Sequence, residues 1–126
     1  MVTREILEAA ARGPAVGPVQ RRALLRATGK DARDYLHRMS TQVVNGLPAG
    51  RTTYAAFLDA RGHLLGEGHL LGLEDGVLLD LDAGALEAVK GPLTRFVIMD
   101  EVAFEDLSAT HGVVPLLGAA AGAAAV

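Results

Sequence analysis

The 126-residue chain predicts an α+β domain in which helices pack on one mainly antiparallel sheet. Three observations carry this expectation. Apolar residues recur with a helical period over 32–39, with an extended pattern over 52–81, and with a helical period again before 96. The extended stretch is broken by short turn sequences, Asp59-Ala60-Arg61-Gly62 and Glu74-Asp75-Gly76, which join neighbouring strands as hairpins. Half of the residues are hydrophobic and 21% are charged, the balance of a chain that folds around a core rather than staying disordered.

The elements follow in order. Thr3 is a good N-cap for a short helix over 3–12 carrying Ile6, Leu7 and Ala10, and Gly13 to Pro18 breaks regular structure after it. Ala23 to Ala27 reads as a strand. Thr28 and Asp31 have capping-box spacing, and the helix they open carries Ala32, Tyr35, Leu36 and Met39 on one stripe. Asn45 to Gly50 is a loop, and Thr52 to Leu58 is rich in β-formers. A long strand, His63 to Leu73, returns through the Asp75-Gly76 turn into Val77 to Leu81. Asp82 is placed to cap a helix running to Phe96, with Leu86, Val89, Leu93, Phe96 and Val97 on one face. Gly91-Pro92 should kink or split that helix, because proline removes a donor and clashes with the preceding turn. Glu101 to Leu107 is a last strand of the layer. Val113 to Leu117 starts another strand, and the alanine run after it has helix propensity but no amphipathic face. The organisation expected is a helix and linker over 1–19, an α+β domain over 20–108, and the start of a strand–helix element over 109–126.

Composition narrows the function classes. With no cysteine, the chain offers no disulfide, no thiolate metal site and no thiol nucleophile. Aromatic residues are 4% and tryptophan is absent, a poor supply for stacking nucleic-acid bases, so no nucleic-acid partner is expected. No apolar stretch reaches the ~20 residues of a membrane span, and the start of the chain does not read as a signal peptide, so a cytoplasmic protein without a membrane partner is expected. The net charge of −3 divides unevenly, +5 over residues 1–62 and −8 over 63–126. Either the two halves neutralise each other in the folded unit, or the basic half faces an anionic ligand.

The long strand is the most informative segment. Leu64, Gly66, Gly68, Leu70 and Gly72 fall on one face, while His63, Leu65, Glu67, His69 and Leu71 fall on the other. Glycines on one face let a packed helix, another backbone or a ligand approach closely. Glu67 and His69 are ligand-type residues, but a solvent-facing strand surface accounts for them without a metal, and no metal site is expected. His37 reads as an exposed helical residue, and Ser40-Thr41-Gln42 as a polar cluster at a helix end. No nucleophile elbow, phosphate-binding loop, dinucleotide fingerprint or zinc-protease motif occurs.

One run of residues goes further. Leu24-Leu25-Arg26-Ala27-Thr28, then Gly29-Lys30-Asp31-Ala32, then Leu36 to Thr41-Gln42, resembles the opening of the folate-binding proteins related to glycine-cleavage T-protein (aminomethyltransferase), especially the YgfZ-type branch. Pro48-Ala49-Gly50, Leu58-Asp59-Ala60-Arg61-Gly62-His63-Leu64, Asp75-Gly76-Val77-Leu78-Leu79-Asp80 and Leu93-Thr94-Arg95-Phe96-Val97 are similar to later motifs of that family, in the same order, and the likeness runs from about residue 20 to 118. It implies tetrahydrofolate as the ligand, held around Gly66, Glu67 and Gly68 with Tyr54 beside them, and with Arg26 or Arg51 meeting its glutamate carboxylates. The family's catalytic acid falls in a pair matched here by Gly66 and Glu67, and its later cysteine motif has no counterpart. The resemblance therefore implies a truncated, non-catalytic folate domain linked to one-carbon metabolism and iron–sulfur cluster maintenance. The alternative is a structural or interaction module that pairs with itself or with a partner chain through an exposed sheet edge.

Overall fold

The computed structural model describes residues 15–16, 20–113 and 116–117. In chain order the elements are β1 (Ala15–Val16), β2 (Arg22–Thr28), α1 (Ala32–Met39), β3 (Thr52–Leu58), β4 (Leu64–Gly72), β5 (Gly76–Asp82), a 3₁₀ turn (Ala83–Ala85), α2 (Leu86–Arg95), β6 (Ala103–Asp106) and β7 (Leu116–Leu117). They fall into two compact units, one of residues 1–21 with 112–126 and one of residues 22–111. In the first, β1 pairs antiparallel with β7, so part of the stretch expected to be irregular is a strand, and Gln20 bridges Val113. The helix expected over 3–12 and the alanine run lie outside the described residues.

The second unit holds the five-stranded sheet, in the order β3-β4-β5-β2-β6, with every neighbouring pair antiparallel. The strand–helix–three strands–helix–strand order matches the sequence expectation. Alternation along the strands builds the core. Ala23, Leu25 and Ala27 of β2, Ala55 and Phe57 of β3, Leu70 of β4, and Val77, Leu79 and Leu81 of β5 are buried on one face. Against them pack Ala32, Tyr35 and Leu36 of α1, and Val89 and Leu93 of α2. Both helices thus cover the same face.

Two polar contacts lock the helices. The Tyr35 hydroxyl donates to the Leu93 carbonyl at 2.6 Å, satisfying an acceptor in the last turn of α2 that has no partner further along the helix. Arg33 extends from α1 to donate to the carbonyls of Leu47 at 2.8 Å and Leu73 at 2.7 Å, clamping the loop before β3 and the β4–β5 turn.

Several local expectations are corrected. The capping box expected of Thr28 and Asp31 does not form: Thr28 ends β2, and Asp31 takes the N-cap position of α1 without a side-chain cap bond. Its carboxylate accepts from the Glu101 amide at 2.7 Å, because Gly29 at φ 115° brings that loop so close that a Cβ there would sit 2.1 Å from the Glu101 oxygen. Asp82 does not cap the second helix either; its carboxylate pairs with Arg22. Helix α2 runs unbroken through Pro92. The acceptor that Pro92 cannot serve belongs to exposed Ala88, where water can take its place. Phe96 is 52% exposed rather than part of the buried stripe. His37 is not a free surface residue, because its Nδ1 accepts from the Val44 amide at 3.1 Å. At the second hairpin no residue has a positive φ. Gly76 is needed instead because a Cβ there would meet the Ala27 carbonyl at 1.8 Å.

Candidate ligand-binding face

Strand β4 divides its residues between the two faces of the sheet. Gly66 and Gly68 point to the helix-covered side. A Cβ on Gly66 would meet Val89 Cγ2 at 2.7 Å and the Ala85 Cβ at 2.8 Å. One on Gly68 would meet the Asp80 carbonyl oxygen at 2.1 Å. The absent side chains are thus what lets α2 and β5 come close, the packing alternative left open by the sequence.

The opposite face carries the chemistry. Register sets Tyr54 of β3 against His69 of β4, and His69 against Asp80 of β5. One step along, Ala56 lies against Glu67. Tyr54 and Glu67 are therefore diagonal neighbours, within reach of each other's side chains. The Tyr54 and His69 rings meet edge to face, with centroids 5.1 Å apart. Tyr54 is 50% exposed, so the ring stands available on the surface. Its phenol is held above the ordinary tyrosine range, first by desolvation and then by the negative charge of Glu67, with Asp82 adding to it.

An ion-pair network that sequence reasoning missed borders this pair. Arg22 donates from Nε to Asp80 at 2.7 Å and from Nη1 to Asp82 at 3.0 Å, and its guanidinium is raised further above its usual range chiefly by the bond to Asp80. The alternation of Asp80 and Asp82 along β5 was the available signal, but nothing in the sequence reveals which strand lies beside them. The other two assigned residues sit elsewhere. Arg26, on the same face of β2, donates to Asp75 at 2.6 Å and keeps a buried Nε with no partner among the described residues. Arg51 is exposed just before β3. Extending the register puts Arg26 roughly 16 Å from Glu67, two strands across and four residues along.

The structure thus brings Tyr54 and Glu67 together, places Arg26 and Arg51 toward the far end of the sheet, and turns Gly66 and Gly68 to the other face. Among the described residues no group of three or more acidic or histidine side chains could hold a metal ion, and no helix is long and apolar enough to cross a membrane.

No protein-family model matches the chain, and no curated protein matches it. Solved structures do. The chain is similar to the glycine cleavage system aminomethyltransferase T from Bartonella henselae, with a TM-score of 0.79 at 21% sequence identity over 95% of this chain. The chain has a T-protein-like fold. It spans 33% of the length of that structure. Within this T-protein-like fold the five-stranded antiparallel sheet and its two helices form the unit of residues 22–111, and the Tyr54–Glu67 pair lies on the face of the sheet that the two helices leave open.

Proposed function

We propose that the chain is a tetrahydrofolate-binding domain of the T-protein type that does not itself transfer an aminomethyl group. The observation that carries this reading is the adjacency of Tyr54 and Glu67 on the face of a T-protein-like sheet that α1 and α2 leave uncovered. A pterin presents an amino group and a ring N–H side by side, and one carboxylate can accept from both. Glu67 supplies that carboxylate. Tyr54 supplies a flat apolar ring with a polar tip, suited to the edge or face of a heteroaromatic ligand.

The ligand's other end carries glutamate carboxylates. Arg26 and Arg51 lie along the sheet at a distance that an extended folate can bridge, and Arg26 commits only its Nη2 to Asp75, leaving the other end of its guanidinium fork to a carboxylate. Gly66 and Gly68 contribute by letting β4 lie close to its neighbours, which fixes the position of Glu67 between them. The reading without transfer rests on the resemblance, in which the family's acidic pair is matched here by Gly66 and Glu67, and Gly66 faces the helix-covered side, so Glu67 is the one carboxylate of that pair. It favours a cytoplasmic role of the YgfZ kind, in which folate is bound in support of iron–sulfur proteins.

The test is calorimetric titration with tetrahydrofolate under reducing conditions. Saturable binding is expected, weakened at least tenfold by Glu67→Ala and unchanged by Gly84→Ala, a substitution made in open space. Absence of saturable binding, or indifference to Glu67→Ala, refutes the proposal. Transfer of an aminomethyl group to tetrahydrofolate by the isolated chain would overturn the non-catalytic part of it.

A further inference from the structure

Strand β3 is the outermost strand of its sheet, so one side of its backbone has no neighbouring strand. Its odd-numbered positions bond inward. The Arg51 carbonyl accepts from the Gly72 amide of β4 at 2.9 Å, and two-residue alternation turns the N–H and C=O groups of Thr52, Tyr54 and Ala56 outward. At Ala56 the edge is plugged. The Thr41 amide donates to the Ala56 carbonyl at 3.0 Å, and the Ala56 amide donates back to the Thr41 hydroxyl at 3.0 Å. At Thr52 and Tyr54 the edge is open: both residues are exposed, and their outward groups have no backbone partner among the described residues.

Sheet edges are ordinarily protected by charge, proline or a bulge. Residues 52–58 contain no charged residue and no proline, and the one irregularity of register falls at Phe57–Leu58, past the plug. We propose that two copies of the chain pair antiparallel through this open stretch, Thr52 of each opposite Tyr54 of the other. The plug selects this register. A twofold arrangement about Thr53 forms four backbone hydrogen bonds, two for each Thr52–Tyr54 pair. One step further, Ala56 would have to face Gly50 of the partner subunit. There Thr41 already fills the edge, and Gly50, at φ 82°, turns the chain away from the strand direction. The paired side chains agree with the backbone, since a β-branched residue beside an aromatic one is a favourable cross-strand neighbour.

The brevity of the open stretch argues for a second copy over an unstructured peptide. A flexible chain would have to be ordered in return for at most four hydrogen bonds. Another copy presents the same stretch already rigid and without charge. So short an interface predicts weak association, with a dimer constant on the order of 0.1–1 mM.

Sedimentation and light scattering over a concentration series test the proposal, together with amide hydrogen exchange. The dimer fraction should rise with concentration, and exchange at the Thr52 and Tyr54 amides should slow in step with it. Thr52→Pro removes only an outward N–H at the first residue of the strand, so it should leave the fold's circular dichroism unchanged and weaken association at least tenfold. Thr52→Lys, which places a charge at the edge without altering the backbone, should do the same. A chain that stays monomeric throughout overturns the proposal, as does a dimer indifferent to both variants. Protection of the two amides that does not depend on concentration overturns it as well, because a segment of the same chain would then be covering the edge.

Discussion

Replacing Gly66 by alanine adds one methyl group at the point where α2 rests on the sheet. The added carbon would lie 2.7 Å from Val89 Cγ2 and 2.8 Å from the Ala85 Cβ, against an ordinary contact of 3.4 Å or more. Relief requires the helix or the strand to move by about 0.7 Å, the difference between those distances. Val89 can give a little by rotating, but the Ala85 Cβ is fixed to backbone. Overpacking of this kind costs about 1–3 kcal/mol. For a unit of this size the midpoint of thermal unfolding should drop by roughly 4 °C or more. Gly68→Ala should be worse, since its added carbon meets a backbone oxygen of β5 at 2.1 Å and no side chain can yield. Gly46→Ala meets nothing within 4 Å and should stay within about 0.5 kcal/mol of the parent. Urea unfolding followed by circular dichroism gives all three values. If Gly66→Ala unfolded like the parent yet bound tetrahydrofolate more weakly, Gly66 would be a floor for ligand and the packing argument would be wrong.

Two further substitutions probe the contacts that fix the helices. Tyr35→Phe strips the donor from the buried Leu93 carbonyl and should cost about 1–2 kcal/mol. Burial raises the Tyr35 phenol above its ordinary value near 10. The stability it lends is complete below about pH 10 and falls above it, where the unfolded chain ionises first. The parent should therefore lose more stability than Tyr35→Phe between pH 9 and pH 11, and equal losses would show that this phenol is not buried as described. Arg33→Lys keeps the charge but cannot fork to the carbonyls of both Leu47 and Leu73, so about 1–3 kcal/mol should disappear in the same unfolding assay. An unchanged midpoint would mean that the clamp contributes nothing.

Much of the fold was legible because the period of the sequence changes where the elements change. Alternation in 52–58 and 64–72, two short turns and two helical stripes suffice to order the strands and helices. The errors cluster where a side chain found a distant partner. Thr28 with Asp31 looks like a capping box and Asp82 like a helix cap, yet the carboxylates of Asp31 and Asp82 are drawn to donors brought near by tertiary structure, the Glu101 amide and Arg22. Pro92 looks like a helix breaker, but α2 continues through it, with Val89 and Leu93 packed in the core on either side of the turn. The site was half visible. Alternation puts Glu67 and Gly66 on opposite faces, but only strand order and register show that Tyr54 stands diagonal to Glu67, and that Asp80 and Asp82 share that face with Arg22.

That the Tyr54–Glu67 pairing exists at all depends on one irregular step. The hairpin over Asp59–Gly62 closes with the Asp59 amide donating to the His63 carbonyl at 2.9 Å and the Asp59 carboxylate accepting from the Arg61 and His63 amides. Strands leaving that turn in strict register would continue unbroken, but the ladder shifts between Phe57 and Leu58, so that Leu58 faces Leu64 while Phe57 faces Gly66. The shift takes up one residue, Leu65, at the base of the hairpin. Without it, every residue of β3 from Phe57 back to Thr52 would meet a neighbour one place earlier or later on β4, and a shift of one residue carries side chains to the opposite face. Tyr54 would then share its face with Gly68 or Leu70 rather than with Glu67 and His69, and Phe57 would leave the core. The bulge thus serves two ends through one local irregularity: it keeps Phe57 under the helices, and it keeps a phenol beside a carboxylate on the face that the helices leave open.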